Sequence, residues 1–93
     1  MQKDPRTLFG QRLRTLRKER NLSQEDLALE AGLDRTYVSG IEIGKRNVGL
    51  VNICKLAAAL DLPPATLFEF ESENEAKVPS SDRGQLALDV FAE

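Results

Sequence analysis

Apolar residues recur every three or four positions through most of the first seventy residues, which is the spacing of one face of an α-helix. Phe9, Leu13 and Leu16 form the first such stripe. No segment alternates convincingly between apolar and polar residues, as a half-buried strand would. The pattern therefore predicts an all-α chain, with helices over about residues 7–20, 24–31, 35–43, 50–60 and 64–70.

The predicted helix over residues 50–60 has the widest apolar face. Its inward stripe is expected to hold Leu50, Ile53, Ala57 and Leu60. Three further residues widen that stripe: Val51, Cys54 and Leu56. We therefore expect Cys54 to be a small buried hydrophobe and not a reactive thiol.

Capping residues and a glycine divide the second predicted helix from the third. Ser23, followed three residues later by Asp26, predicts a capping box at the start of the second helix. Gly32 can adopt the left-handed conformation that ends a helix, and Asp34 is placed to cap the next one. Two short helices joined by a tight, glycine-containing turn indicate a helix-turn-helix unit.

The inward positions of this unit have steric reasons as well as spacing. Ala28 must be small because the following helix crosses closely above it, and Gly32 allows a positive φ. Val38 and Ile41 are expected to hold the third helix on the core. That leaves a polar face for contact with base edges in the major groove of DNA, made of Arg35, Thr36, Tyr37 and Ser39.

Positive charge continues past this helix into a loop. Lys45, Arg46 and Asn47 are expected to contact DNA phosphates, where positive charge gives salt-dependent affinity. Gln24, at the start of the second helix, is placed to bind a phosphate together with the helix's N-terminal amides.

Composition narrows the remaining possibilities. The chain has 93 residues, no histidine and one cysteine, so the sequence offers no intramolecular disulfide, metal cluster or cofactor site and no sign of catalysis. Residues 1–60 carry eleven Lys and Arg against seven Asp and Glu, whereas residues 61–93 carry two against eight. The net charge of −2 thus hides a basic first part suited to an anionic partner. Without a signal peptide or a membrane-spanning segment, the chain is expected to be cytoplasmic.

The stretch "LSQEDLALEAGLDRTYVSGIEIGKRN" resembles the five-helix DNA-binding domain of phage repressor and Cro proteins, the XRE family. The resemblance covers about residues 7–70 and is greatest to controller proteins of restriction-modification systems. It implies a homodimeric regulator of transcription that binds double-stranded DNA at a pseudo-palindromic operator. It also implies an ion pair between Arg17 and Glu42. Ile43 departs from the basic or polar residue common at its position in the family.

The resemblance further implies dimerisation through the last helices, with an interface at Leu60, Leu67, Phe68 and Phe70. Residues 1–71 are therefore assigned to the DNA-binding domain, and residues 72–93 to an acidic linker and C-terminal tail. The tail ends in "QLALDVFAE", which regains apolar residues and could be a docking helix, an added strand or a partner-binding segment. An antitoxin or adaptor protein that binds a protein partner through this tail is the alternative function.

Overall fold

A computed structural model describes residues 4–70 of the chain. These residues form four α-helices, which are α1 Pro5–Glu19, α2 Gln24–Ala31, α3 Arg35–Glu42 and α4 Leu50–Ala59. Residues 4–70 contain no strand, so the all-α prediction is confirmed. The predicted acidic linker and tail, residues 72–93, lie outside the described residues.

The fifth predicted helix is wrong in type. Residues Pro64–Phe68 form a short 3-10 helix in place of an α-helix. Pro64 occupies its first turn, and the Phe70 N–H donates to the Phe68 carbonyl oxygen directly after it. The segment is therefore too short for α-helical hydrogen bonding to be established, and short 3-10 pieces are the usual outcome.

The capping residues that the sequence predicts bound α2 and begin α3, whereas the Asp4 cap, which begins α1 two residues before the predicted start, was not predicted. The capping box of Ser23 and Asp26 is formed in both directions, and the Asp34 carboxylate accepts from the Thr36 N–H at 2.9 Å. Gly32 ends α2 in the left-handed region, at φ 70°. Asp4 caps α1, and hydrogen bonds from the Arg6 side chain and backbone lower its pKa to about 2.

The core lies where α1, α2, α3 and α4 meet, and the 3-10 helix packs on α1 and α4. Leu13, Leu27, Val38, Ile41 and Leu56 are fully buried. α3 is thus fixed to the other helices along one side only, since its buried residues are Val38, Ile41 and Glu42.

The prediction that the broad apolar face of α4 is buried is partly wrong. Ile53, Leu56, Ala57 and Leu60 are buried, but Leu50 is 75% exposed and Val51 is 68% exposed. Cys54 is exposed as well. At about 100° per residue, Val51 and Cys54 fall outside the buried side of the helix. α4 therefore presents an apolar strip to solvent in addition to its buried face.

Gly10 marks the closest approach between α1 and α3. A Cβ atom on Gly10 would lie 2.2 Å from the Ile41 carbonyl oxygen and 2.7 Å from that of Glu42. Both atoms belong to the backbone of α3, so they cannot move aside as a side chain could. Glycine is thus required at this position for α3 to pack at its observed distance from α1.

Candidate nucleic-acid interface

α3 has one buried side and one polar, accessible side. Val38 and Ile41 have no exposed surface, whereas Arg35 and Thr36 are exposed at the helix's N-terminal end. Tyr37 and Ser39 are half-buried. Arg35, Thr36 and Ser39 line one shallow depression on this side. Three of the four residues predicted to contact bases, Arg35, Thr36 and Ser39, therefore share one face that solvent reaches. Tyr37 does not line this depression and packs partly against the core.

The loop after α3 places its polar residues beside the helix. Gly44, at φ 81°, turns the chain, and the Lys45 N–H donates to the Gly40 carbonyl oxygen at 2.9 Å. Lys45, Arg46 and Asn47 are all exposed. The structure thus brings the predicted phosphate-binding loop next to the predicted base-reading face, and leaves its side chains available.

A buried ion pair joins α1 to α3. Arg17 Nε donates to Glu42 Oε2 at 2.7 Å, and Arg17 Nη2 donates to Glu42 Oε1 at 3.0 Å. Arg17 Nη1 also donates to the Leu22 carbonyl oxygen at 2.8 Å. The Glu42 hydrogen bond raises the pKa of Arg17. The pair implied by the family resemblance is present, and it fixes the C-terminal end of α3 to α1.

Gln24 is oriented by the same carboxylate. Its Nε2 donates to Glu42 Oε1 at 3.0 Å, which ties the start of α2 to the end of α3. An amide nitrogen carries two hydrogens, so one of them stays free of this bond. Gln24 therefore has a structural role that the sequence did not reveal, and its contact with a phosphate stays a prediction.

Tyr37 has two partners from outside α3. Asn52, in α4, donates from Nδ2 to the Tyr37 hydroxyl oxygen at 3.1 Å. The guanidinium carbon of Arg46 lies 5.8 Å from the centroid of the Tyr37 ring. Sequence reasoning missed Asn52, because no spacing or motif relates this residue of α4 to the third helix.

The predicted dimer interface needs correction. Leu60 and Leu67 have no exposed surface, because both lie in the core of the single chain. They have no side-chain surface left for a second subunit. Phe68 is 51% exposed and Phe70 is half-buried, so these two could still contact a partner.

Residues 4–70 contain no group of three or more His, Cys, Asp or Glu side chains that could hold a metal ion. Within the same residues, none of the helices combines the length and the apolar character needed to cross a bilayer.

Comparison with known proteins matches this chain to the helix-turn-helix family and to controller proteins of restriction-modification systems. The helix-turn-helix family model matches residues 13–67. The chain is 52% identical over 66 residues to the control protein C.BamHI of Bacillus amyloliquefaciens, which covers 70% of this chain and 82% of that protein. The crystal structure of the restriction-modification controller protein C.AhdI from Aeromonas hydrophila matches with a TM-score of 0.67 at 62% identity, covering 68% of this chain and 96% of that one. The controller protein C.Esp1396I, solved as a tetramer with its natural 35 base-pair operator, matches with a TM-score of 0.66 at 31% identity, covering 72% and 88%.

Proposed function

We propose that this chain, which belongs to the helix-turn-helix family of XRE type, is a homodimeric regulator of transcription that binds a pseudo-palindromic DNA operator. One observation carries the proposal. Arg35 and Thr36 are exposed at the N-terminal end of a helix whose opposite side is fully buried. That end of the second helix is the part that enters the major groove in helix-turn-helix complexes.

The chemistry of the exposed face suits the edges of bases. The Arg35 guanidinium can donate two parallel hydrogen bonds to guanine O6 and N7, and Thr36 can bond a base or contact a thymine methyl group. Ser39 lines the same depression and adds a hydroxyl. Lys45 then supplies charge for the flanking phosphates, which sets register without reading sequence.

We further propose that the chain is a controller of a restriction-modification system. The sequence identity of 52% to the control protein C.BamHI and of 62% to the controller protein C.AhdI supports this finer assignment. Sequencing the neighbourhood of the gene tests it, because a controller's gene is expected beside methyltransferase and endonuclease genes. If methyltransferase and endonuclease genes are absent and the operator occurs only at unrelated promoters, the chain is a general regulator of transcription and not a restriction-modification controller.

Arg35→Ala and Lys45→Ala are expected to weaken DNA binding in different ways. The Arg35 variant should lose about 1–3 kcal/mol on a duplex selected from a random pool by the wild-type protein, and little on random duplexes. The Lys45 variant should weaken both duplexes about equally and reduce the slope of log affinity against log salt by about one. Fluorescence anisotropy across a salt series measures both effects.

Both residues are exposed, so thermal unfolding of the two variants should match the wild type and serves as the control for folding. Equal losses on selected and random duplexes for both variants would contradict the assigned roles. Wild-type binding that does not change with salt would contradict the whole mechanism, since phosphate neutralisation releases counterions.

The dimer interface is proposed to use one part of the apolar surface that residues 4–70 leave exposed, the strip along α4. Leu50 and Val51 lie together on the first turn of α4, and Cys54 is exposed one turn later. Phe68 and the largely buried Ile53 line one groove, which Arg6, Arg46 and Asn47 also line, and Ile53 is one turn from Leu50. An apolar strip of this kind on a family member that acts as a dimer is best explained by a second subunit.

Val51→Glu is expected to convert the dimer to a monomer, because it places a charge in an apolar contact between subunits. Sedimentation velocity should show the mass fall to that of one chain. Leu29→Glu is the matched control, since Leu29 is 81% exposed on α2 and outside the strip. If both variants stay dimeric, or both dissociate, the strip is not the interface.

Two other assignments belong to the same proposal. The function is binding and not catalysis, because the interface offers cationic and hydrogen-bonding side chains suited to DNA and the family consists of DNA-binding regulators. The protein is cytoplasmic, because bacterial operators are located there. The alternative role as an antitoxin or adaptor depends on the tail, residues 72–93, which lies outside the described residues.

A further inference from the structure

The Tyr37 hydroxyl is held by a residue of α4 that the sequence did not predict to take part in DNA binding. Asn52 Nδ2 donates to the phenol oxygen at 3.1 Å, from a position in α4 rather than in α3. Both side chains are half-buried. The bond therefore fixes the position of the hydroxyl relative to the domain, and not merely relative to its own helix.

The direction of this hydrogen bond decides what Tyr37 can offer to DNA. A phenol has one proton to donate and an oxygen that accepts. Because Asn52 donates, it occupies the accepting side of Tyr37 and leaves the phenolic O–H to donate elsewhere. The major groove displays matching acceptors on three bases, namely guanine O6 and N7, adenine N7 and thymine O4.

The ring of Tyr37 has a second function, as a support for Arg46. The Arg46 guanidinium carbon lies 5.8 Å from the ring centroid, within the range of a cation–π interaction. Gly40 leaves the space for this arrangement, since a Cβ there would lie 2.8 Å from Arg46 Cγ. α3, the loop after it and α4 thus converge on one aromatic ring.

We propose that Asn52 is a positioning residue for DNA sequence recognition, which orients Tyr37 so that its hydroxyl donates to a base and its ring supports Arg46. The proposal rests on the proposed function, because it assumes that α3 enters the major groove. Asn52 acts through Tyr37 and needs no contact with DNA. The base-reading helix and the phosphate-binding loop are then assembled before DNA arrives.

A double-mutant cycle tests the connection between the two residues. Asn52→Ala, Tyr37→Phe and the double variant are compared by the ratio of affinities for a duplex selected by the wild type and for random duplexes. Each single change should lower this ratio roughly fivefold, the effect of one lost hydrogen bond. The double variant should lose no more than Tyr37→Phe alone, because both changes remove the same donor geometry.

Independent losses would overturn the proposal, since they would mean that Asn52 contacts DNA itself. An unchanged ratio in Asn52→Ala would also overturn it, and would leave Asn52 with a role in folding only. Urea unfolding of each variant separates the two roles, because a structural defect lowers the free energy of unfolding without altering the ratio between duplexes.

Asn52→Asp tests the direction of the hydrogen bond. A carboxylate can only accept, so it should take up the phenolic proton and lower the ratio at least as far as Tyr37→Phe does. The added negative charge weakens binding to all DNA, and the ratio between duplexes removes that common term. A wild-type ratio in Asn52→Asp would show that Tyr37 does not donate to a base.

The support of Arg46 by the ring has its own spectroscopic test. Tyr37 is the single tyrosine of a chain without tryptophan, so intrinsic tyrosine emission reports on this ring alone. Gly40→Ala displaces Arg46 and should increase quenching of that emission by acrylamide, as should Arg46→Ala. Lys55→Ala, on an exposed residue of α4 outside the cluster, is the control. Equal quenching in all variants and the wild type would show that Arg46 does not cover the ring.

These results also separate the inference from the proposed function. If the wild-type protein selects no duplex from a random pool, the proposed function fails. If it selects one and the Asn52 variants keep the wild-type ratio, the inference fails by itself.

Discussion

Gly10→Ala is expected to destabilise the domain by about 3 kcal/mol, at the upper end of the usual cost of overpacking. The added Cβ would lie 2.2 Å from the Ile41 carbonyl oxygen and 2.7 Å from the Glu42 carbonyl oxygen. Relief requires α1 and α3 to move apart, because both obstructing atoms are backbone atoms. Urea unfolding followed by far-UV circular dichroism measures the change in the free energy of unfolding.

Gly49→Ala is the matched control for this change. Nothing lies within 4 Å of a Cβ built on Gly49, and its φ of −79° suits any residue. Gly49 is the N-cap of α4 and makes no side-chain cap bond, so alanine there should cost at most about 1 kcal/mol. A Gly10→Ala variant that is no less stable than Gly49→Ala would show that α1 and α3 can separate at little cost.

Gly10→Ala should also weaken DNA binding by more than its effect on stability accounts for. Ile41 and Glu42 form the last turn of α3, so the added methyl group pushes on the helix that carries Arg35 and Thr36. Recognition by hydrogen bonds depends on sub-ångström placement of such side chains. Measurements under conditions where the variant is fully folded isolate this contribution.

Features with a local cause could be predicted from the sequence. The capping box of Ser23 and Asp26, the Asp34 cap and the left-handed Gly32 each depend on residues within four positions of one another. The exposed and buried sides of α3 also follow from helical spacing, because Val38 and Ile41 are the apolar residues on its inward side. These elements determine which side chains of α3 are left accessible to solvent.

Features that depend on how helices cross could not be predicted. Helical spacing predicts that Leu60 and Leu67 are buried, but it does not show whether they are buried in the core of one chain or in an interface between two chains. Likewise it cannot tell that Val51 and Cys54 lie outside the buried side of α4. Such distinctions require the position of the neighbouring helix.

Gly10 and Asn52 illustrate the same point at single positions. The need for glycine at Gly10 arises from the backbone of α3, thirty-one residues further along at Ile41. The bond from Asn52 to Tyr37 joins residues fifteen positions apart in different helices. Neither residue belongs to a motif, so only the assembled fold shows what it contacts.

Glu42→Ala is expected to cost about 3–5 kcal/mol, because it leaves the Arg17 guanidinium buried without its counter-charge. The side chain of Arg17 is 9% exposed and that of Glu42 is 2% exposed, so water cannot replace the lost carboxylate fully. Gln24 loses its acceptor at the same time. Urea unfolding provides the measurement, as for the glycine variants.

Breaking an exposed ion pair provides the control for burial. Glu69→Ala removes the carboxylate that pairs with Arg12. In this pair Arg12 Nη2 lies 3.3 Å from Glu69 Oε1, and the Glu69 side chain is 65% exposed. Exposed pairs contribute little, so this change should cost less than about 1 kcal/mol. If both variants lose the same stability, the buried position of Glu42 has no special cost.

The double variant Arg17→Met with Glu42→Leu tests whether the ion pair stabilises the fold. The other possibility is that stability falls only when one of the two charges is removed and the other stays buried without a partner. Apolar residues of similar volume leave no buried charge, so the double variant should recover most of the stability that Glu42→Ala loses. A double variant as unstable as Glu42→Ala would instead show that the pair contributes net stability. Selective loss of DNA binding in a stable double variant would assign the pair to the orientation of α3 and Gln24.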